Sequence, residues 1–508
     1  MKCIKGRDAI VEQCPEMLVD ESRFSLGVPD EVWFPQNSDD LKELMLRASR
    51  ESISVTFSGA RTGITGGAVP PEGGMLISFS RMKKIIRCEP GRDGNPVLYC
   101  EAGITLESLA QFLEDPQNWP EKVEGCERLP PGKFFYPPDP TEMTAQLGGT
   151  VANNASGART FRFGPTRNHI EELDVVLITG ELVRLRRGEK FGDEWVFATE
   201  NGLMKMPPPS YVWPSVKNAS GFYSSPKMDP MDLFIGSEGI LGAICRVGIR
   251  LMEKTEFLSG LSFFPSRENA FDFADFLRSQ EQIAAIEYFD SSVFELFRES
   301  SSDELPAIPE HLHCAVYWEY IESDRNPFED RMEEWEEALN RCGSSLDDTW
   351  SGFEPVESQR LKAFRHAVPE LVNTRVAQNK QANSSMRKIS TDSALPSGVF
   401  RDWFDSCVRQ MENEGIQYAI FGHLGDYHLH INMLPRTEKQ LDSALSLYHD
   451  FMLDACRRGG SISAEHGLGK LKSEFLDCMF SSDALEQMRN MKKVLDPQGL
   501  LNRGNLLK

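Results

Sequence analysis

Residues 422–432 read Gly-His-Leu-Gly-Asp-Tyr-His-Leu-His-Ile-Asn, and Ala464-Glu465-His466-Gly467 follows later in the chain. Of the nine histidines, His423, His428, His430 and His466 fall in these two clusters, with a carboxylate beside the last. Imidazole mixed with carboxylate suits a divalent transition metal and an acid–base pair. His428 and His430 are two apart and share a face if the run is a strand, whereas His423 and His430 then point oppositely. The Gly425-Asp426 step allows a turn that would bring them together. Glu465 would complete a His, His, Glu set with an open position, the layout of a catalytic metal site. A hydrogen-bonded loop of satisfied histidines is the alternative, and the local sequence does not separate the two.

Glycine-rich segments come earlier. Ser58-Gly59-Ala60-Arg61-Thr62-Gly63-Ile64-Thr65-Gly66-Gly67 directly follows an apolar β-branched run. Glycines allow positive φ and let backbone N–H groups approach an anion, which a pyrophosphate cradle requires. The spacing is not Gly-x-Gly-x-x-Gly, so a Rossmann site is not supported. Residues 148–157, Gly-Gly-Thr-Val-Ala-Asn-Asn-Ala-Ser-Gly, and 236–242, Gly-Ser-Glu-Gly-Ile-Leu-Gly, are similarly small. Each alone reads as a turn; three in one half of the chain point to a nucleotide cofactor. His466-Gly467-Leu468-Gly469-Lys470 is not a P-loop, because position 464 is Ala and Leu471 follows the lysine.

At 508 residues the chain exceeds one core and divides into domains. Its 40% hydrophobic and 26% charged content is that of a globular protein. A net charge of −22 opposes nucleic acid and broad contact with anionic lipid. The first residues lack an apolar signal region, and no run reaches the roughly 20 apolar residues of a membrane helix. The 11 cysteines include no Cys-x-x-Cys pair, which fits reduced thiols in the cytoplasm and no iron–sulfur cluster in this chain.

Residues 53–57, 75–79 and 173–178 read as strands, and 39–49 and 105–113 as helices, with Thr105 as a cap. Residues 187–232, with Pro207-Pro208-Pro209, look like a long excursion. Further on, 271–278 and 329–340 read as helices, 313–320 and 418–421 as strands. A helix over 484–495, capped by Asp483, ends at Asp496-Pro497-Gln498-Gly499. The pattern is α+β, with a first domain over 1–252, a second over 253–455 and a tail over 456–508 that returns to the cofactor.

Together these segments resemble the flavoproteins of the vanillyl-alcohol oxidase / p-cresol methylhydroxylase superfamily. The branch they resemble holds the glycolate oxidase flavoprotein subunit, D-lactate dehydrogenase and D-2-hydroxyglutarate dehydrogenase. The resemblance rests on 58–67, Pro138-Asp139-Pro140 with 148–164, Lys217-Asn218-x-x-Gly221, 234–244, 422–432, 463–467 and 496–502. It implies a two-part FAD-binding domain of the p-cresol methylhydroxylase type and a C-terminal cap domain with an antiparallel sheet. Gly59, Ala60, Arg61, Thr62 and Gly63 would hold the pyrophosphate of a non-covalent FAD. Pro138, Asp139, Gly149, Ala152, Asn153, Gly157, Gly164, Glu238, Gly239 and Ile244 would add contacts, and Asn502 would close the site. His423, His430 and Glu465 match metal ligands, with zinc the expected ion, and His466 matches the base. Arg365 matches the arginine that grips the substrate carboxylate, and Lys388 and Asn432 match other substrate contacts.

Two departures stand out. The family pattern has Asp-Gly-Asn between its histidines, where this chain has Asp426-Tyr427-His428. Tyr427 disfavours positive φ, and His428 either joins the ligands or replaces the Asn contact. Four residues after Arg365 stands Pro369, which offers no side-chain hydrogen bond.

The activity implied is oxidation of a D-2-hydroxy acid such as D-lactate, glycolate or D-2-hydroxyglutarate. Electrons would pass to a separate acceptor: an iron–sulfur subunit, a quinone or an electron-transfer flavoprotein. Attachment to the membrane would then be peripheral, through that partner, and a homodimer is compatible. The alternatives are an ether-lipid synthase of the same superfamily, against which Leu429 counts by interrupting the histidines, and a flavin subunit that organises a larger complex.

Overall fold

The computed structural model describes residues 1–138, 142–189, 194–199, 202–299 and 311–507. The fold is α+β, built on three principal sheets. In the first, the strands run in the order Lys2–Lys5, Glu31–Phe34, Met75–Ser78, Val55–Ser58, the last three parallel. Val55–Ser58 and Met75–Ser78 are buried throughout, as parallel strands covered on both faces must be. The helix Ser38–Glu51 packs Leu41, Leu44, Met45 and Ala48 inward and is capped by Asn37, whose side chain accepts from the Asp40 N–H.

The second sheet is antiparallel, ordered Ile85–Pro90, Pro96–Glu101, Ala243–Arg250, Ile170–Val176, Leu182–Arg186. Against it lies the helix Leu106–Glu114, which Thr105 caps by accepting from the Ser108 N–H. The third sheet, also antiparallel, runs Thr349–Ser351, Glu256–Phe264, Cys314–Glu322, Ile283–Phe289, Tyr418–Gly422, His430–Met433, Ile389–Ser390. Aromatic side chains such as Trp318, Trp335 and Trp403 fill its core.

The tail crosses back to the first sheet. Val55 donates to the Leu500 carbonyl at 2.9 Å and Asn502 to the Val55 carbonyl at 2.8 Å. Two sequence expectations need correction here. The long excursion contains a hairpin, Trp195–Thr199 paired with Gly202–Met206. The last helix, Ser482–Leu495, is capped by Ser481, which accepts from the Ala484 N–H; Asp483 lies in its first turn. Both serine and aspartate suit the two roles, so sequence alone leaves the register open by two residues.

His169 is fully enclosed next to the second glycine segment. Its Nε2 lies 2.8 Å from the Phe163 carbonyl, and Nδ1 has no hydrogen-bond partner among the described residues. Burial pushes its pKa down to about 4. A histidine free to titrate at 6.5 when unfolded then binds a proton that the folded state refuses. Stability is therefore complete above pH 6.5 and is lost as pH falls towards 4, by at most ~3 kcal/mol. His169→Gln is expected to show a shallower loss of thermal midpoint than the natural chain between pH 7.5 and 5. Equal slopes would show that His169 is not the titrating group.

Candidate active site

The glycine segments and the histidine clusters meet at one cavity of about 320 Å³. Gly59, Ala60, Arg61, Thr62 and Gly63 line it, with Gly149, Ala152, Asn153 and Gly157 from the second segment and Glu238, Gly239 and Ile244 from the third. His423, Glu465, His466 and Asn502 face the same space. Pro138, Gly164, His430, Arg365, Lys388 and Asn432 are not in this lining, and Asp139 falls outside the described residues.

Glycine backbone forms part of the cavity wall. A Cβ on Gly63 or Gly149 would meet nothing within 4 Å, so both positions border open space. Gly239 has φ +72°, and a Cβ there would come within 2.7 Å of the Asn502 amide. That amide is fixed, since its oxygen accepts from the Phe57 N–H at 2.8 Å and its nitrogen donates to the Glu238 carbonyl at 2.7 Å. Among the described residues Arg61 makes no hydrogen bond to a carboxylate; its Nη1 reaches the Gly59 carbonyl and the Met17 sulfur. A half-buried guanidinium held by neutral acceptors suits a pyrophosphate. Glu238 accepts from the N–H groups of Leu468 and Gly469 at 2.6 and 2.8 Å, tying the third segment to the histidine loop. Burial raises its carboxyl pKa to about 7.

The histidine run is a tight hairpin. Tyr418–Gly422 and His430–Met433 pair with Phe421 opposite His430, and a 3-10 turn at Leu424–Asp426 joins them. The turn at Gly425-Asp426 does bring His423 and His430 together, with ring centroids 5.9 Å apart. The expectation of a shared strand for His428 and His430 is corrected. The strand starts at His430, and His428 precedes it in a bridge to Ala394. Tyr427 adopts the left-handed conformation that its side chain disfavours, at φ 51°. It is held by the Arg278 guanidinium 3.8 Å above its ring and by Phe400.

Glu465 lies among the imidazoles. Its oxygens are 3.4 Å from His423 Nε2, 3.2 Å from His430 Nε2 and 4.0 Å from His428 Nδ1. Lys217 donates to it at 2.9 Å and Ser156 at 3.3 Å. Burial opposes ionisation of Glu465, but Lys217 and His423 hold its pKa well below the ordinary carboxylate range. Burial likewise opposes protonation of His423, yet the Glu465 and Glu287 carboxylates raise it to about 9. For His428 burial wins, pushing the pKa down to about 3, and His430 is lowered for the same reason.

Asp392 is the second hub. It accepts from Ser463 Oγ at 2.5 Å, the His466 N–H at 3.1 Å and Lys472 Nζ at 3.2 Å, and lies 2.9 Å from His428 Nε2 and 3.1 Å from His466 Nδ1. Burial would raise its pKa, but His466 and Lys472 hold it far below the usual range. The His466 side chain stays about a third exposed towards the cavity, its Nε2 turned away from Asp392.

Arg365 belongs to the helix Pro355–Ala382 and is ion-paired through Nε to Glu287, with its guanidinium 4.7 Å from the Tyr317 ring centre. Glu287 reaches on to His423 Nδ1 at 3.2 Å. Burial opposes the charge on Glu287, but Arg365 lowers its pKa to about 2. Asn432 donates to the carbonyls of Ala419 and His430 at 3.0 and 3.2 Å, bracing the hairpin. Lys388 is solvent-accessible yet walled by protein, which lowers its pKa, and no contact among the described residues joins it to the cluster. Sequence reading assigned no role to Asp392, Glu287 or Lys472. A glutamate inside the apolar strand Ile283–Phe289 was the available signal for Glu287.

Among the described residues, several buried polar atoms at this cluster have no hydrogen-bond partner. They include His428 Nδ1, His430 Nδ1 and Asp426 Oδ2, all enclosed. Donor atoms of His423, His428, His430 and Glu465 lie within 4.8 Å of one another. The carboxylates of Glu287, Asp392, Asp426 and Glu465 converge on the same imidazoles and lysines. The residues present therefore suit a divalent cation.

The model of the FAD linked oxidases, C-terminal domain, matches residues 255–506, and that of the FAD binding domain matches 29–127 and 126–186. The chain belongs to the FAD-linked oxidases. It is similar to the D-lactate dehydrogenase of Archaeoglobus fulgidus, at 25% identity covering 93% of this chain and 90% of that one. It is also similar to the D-2-hydroxyglutarate dehydrogenase of Stutzerimonas stutzeri (24%, covering 96% and 93%). The glycolate oxidase subunit GlcD of Bacillus subtilis is another relative (24%, covering 94% and 89%). Among solved structures, an alkyldihydroxyacetonephosphate synthase has the same fold, with a TM-score of 0.62 at 15% identity over 94% of this chain and 76% of that one. This FAD-linked oxidase is thus an enzyme, and its cavity ends on imidazole and carboxylate. No helix among its described residues is long and apolar enough to cross a membrane.

Proposed function

We propose that this FAD-linked oxidase is a dehydrogenase that converts a D-2-hydroxy acid to the 2-oxo acid. The observation that carries this reading is the cavity itself, in which three glycine segments and His466 border the same space. Residues 1–252 and 456–508 would hold FAD and 253–455 the substrate. The FAD would be non-covalent, since Cys100 and Cys126 both lie outside the cavity lining.

When bound, FAD supplies the two-electron acceptor for the hydride leaving C2. A divalent ion held by His423, His430 and Glu465, zinc by donor type, would polarise the hydroxyl. His466 takes the hydroxyl proton at Nε2, because Asp392 occupies Nδ1 and fixes the tautomer. The same carboxylate stabilises the imidazolium once formed. Arg365, outside the cavity lining but paired with Glu287 beside His423, would grip the substrate carboxylate and so set the face of C2 presented for transfer. Lys388 and Asn432 are the further candidate contacts. Electrons leave to a separate acceptor of the iron–sulfur, quinone or electron-transfer flavoprotein type. Leu429, which breaks the histidine run, sets the chain apart from the ether-lipid alternative.

Anaerobic mixing of the flavin-loaded protein with D- and L-2-hydroxy acids tests this reading. One D-acid is expected to bleach the flavin absorbance. Flavin that stays oxidised with every acid would overturn the substrate class, and protein unable to take up FAD would overturn the reading as a whole.

A further inference from the structure

We propose that His428 is an additional metal ligand through Nδ1, so that this chain holds its divalent ion with four protein donors: His423, His428, His430 and Glu465. The inference rests on the metal-assisted reading above and concerns the position where the chain leaves the family pattern.

The His428 ring is wholly buried. Its Nε2 faces the Asp392 carboxylate at 2.9 Å. An ionised carboxylate only accepts, so the ring hydrogen belongs on Nε2 and Nδ1 carries a lone pair. Among the described residues that lone pair has no hydrogen-bond partner, and it looks from 4.0 Å at Glu465 Oε2, which accepts from Lys217 and Ser156. Two acceptors facing one another across a buried gap repel unless a cation or donor stands between them. Metal–nitrogen and metal–oxygen bonds of about 2.0–2.2 Å allow ligand separations up to about 4.2 Å. The four donor atoms already lie within 4.8 Å of one another. A small inward movement closes the set.

The backbone is arranged to deliver this ring. Tyr427 sits in the left-handed region that its side chain disfavours, and the Arg278 and Phe400 contacts hold it there. The His428 N–H closes back on the His423 carbonyl at 3.2 Å, so the strained residue turns the chain and His428 enters the cluster from its buried side.

The consequence bears on substrate recognition. Three donors leave room for a 2-hydroxy acid to chelate through hydroxyl and carboxylate together. A fourth donor leaves room for the hydroxyl oxygen, and the carboxylate must then be held by protein cations.

Four measurements on the flavin-loaded full chain test this. Elemental analysis is expected to give one metal ion per chain. X-ray absorption of the zinc-loaded natural protein is expected to count three imidazoles; two would overturn the proposal without needing any variant. His428→Asn, which restores the family residue, is expected to keep flavin and thermal midpoint while losing at least tenfold in zinc affinity by chelator competition. Its cobalt-loaded form should also lose absorbance intensity as water enters the coordination sphere. Affinity and cobalt spectrum within twofold of the natural chain would overturn the assignment of His428 alone. A natural chain that takes up no metal would overturn the metal reading and this inference with it.

Discussion

His466→Ala is expected to keep its flavin and to lose reduction by the substrate acid by about 10²–10⁴-fold, the range for removal of a positioned general base. The ring is the cavity-facing imidazole whose Nε2 is not committed to a short hydrogen bond, while Nδ1 and the backbone N–H both rest on Asp392. Its neighbours cannot take over. His430 stacks on it with centroids 5.2 Å apart, but its Nε2 is turned to Glu465 and burial disfavours its protonation. His428 is enclosed and its Nε2 is engaged by Asp392. Flavin content should survive because the cradle is made by glycine backbone and by Asn502, none of which depends on the imidazole. Rapid-mixing measurement of anaerobic flavin reduction, with the flavin-to-protein ratio as control, reads both halves of the expectation. Reduction at the natural rate would remove His466 from the base role.

Much of this site was legible because its chemistry is local. The segment 58–67 announces close backbone approach through its glycines, and the structure puts it at the cavity wall. The turn at Gly425-Asp426 was equally readable, and it sets Phe421 against His430. What sequence could not supply are the partners brought from afar. Glu287 reaches His423, and Asp392 gathers His428, Ser463, His466 and Lys472, across separations that no periodicity encodes. Strand parity failed at His428 because it assumes a strand that begins earlier than it does. At Tyr427 a general preference against positive φ was outweighed by two specific ring contacts. Lys388 was carried over by motif position alone, and no contact among the described residues yet ties it to the cluster.

Asp392→Asn should damage stability and turnover by separable routes. The carboxylate faces donors on every side: His428 Nε2, Ser463 Oγ, the His466 N–H, His466 Nδ1 and Lys472 Nζ. An amide offers one acceptor oxygen and turns an NH₂ towards groups that also donate, so some of these donors are left unsatisfied in the interior. Lys472, itself enclosed, loses the carboxylate that neutralises it. Breaking a buried pair from one side costs about 3–5 kcal/mol, because the remaining charge is stranded. Separately, His466 loses the acceptor that keeps hydrogen on Nδ1 and lone pair on Nε2. The comparable loss in a serine protease triad lowers turnover by about 10⁴, so a fall of at least 10² in flavin reduction is expected here. The double variant Asp392→Asn/Lys472→Met distinguishes the routes. It removes both charges and leaves no stranded ion, so the thermal midpoint should recover much of its loss. Turnover should not recover, because the tautomer of His466 is still unspecified. If the double variant regained both, Asp392 would act only as a counter-ion to Lys472, and the proton would have to be taken from the hydroxyl without its help.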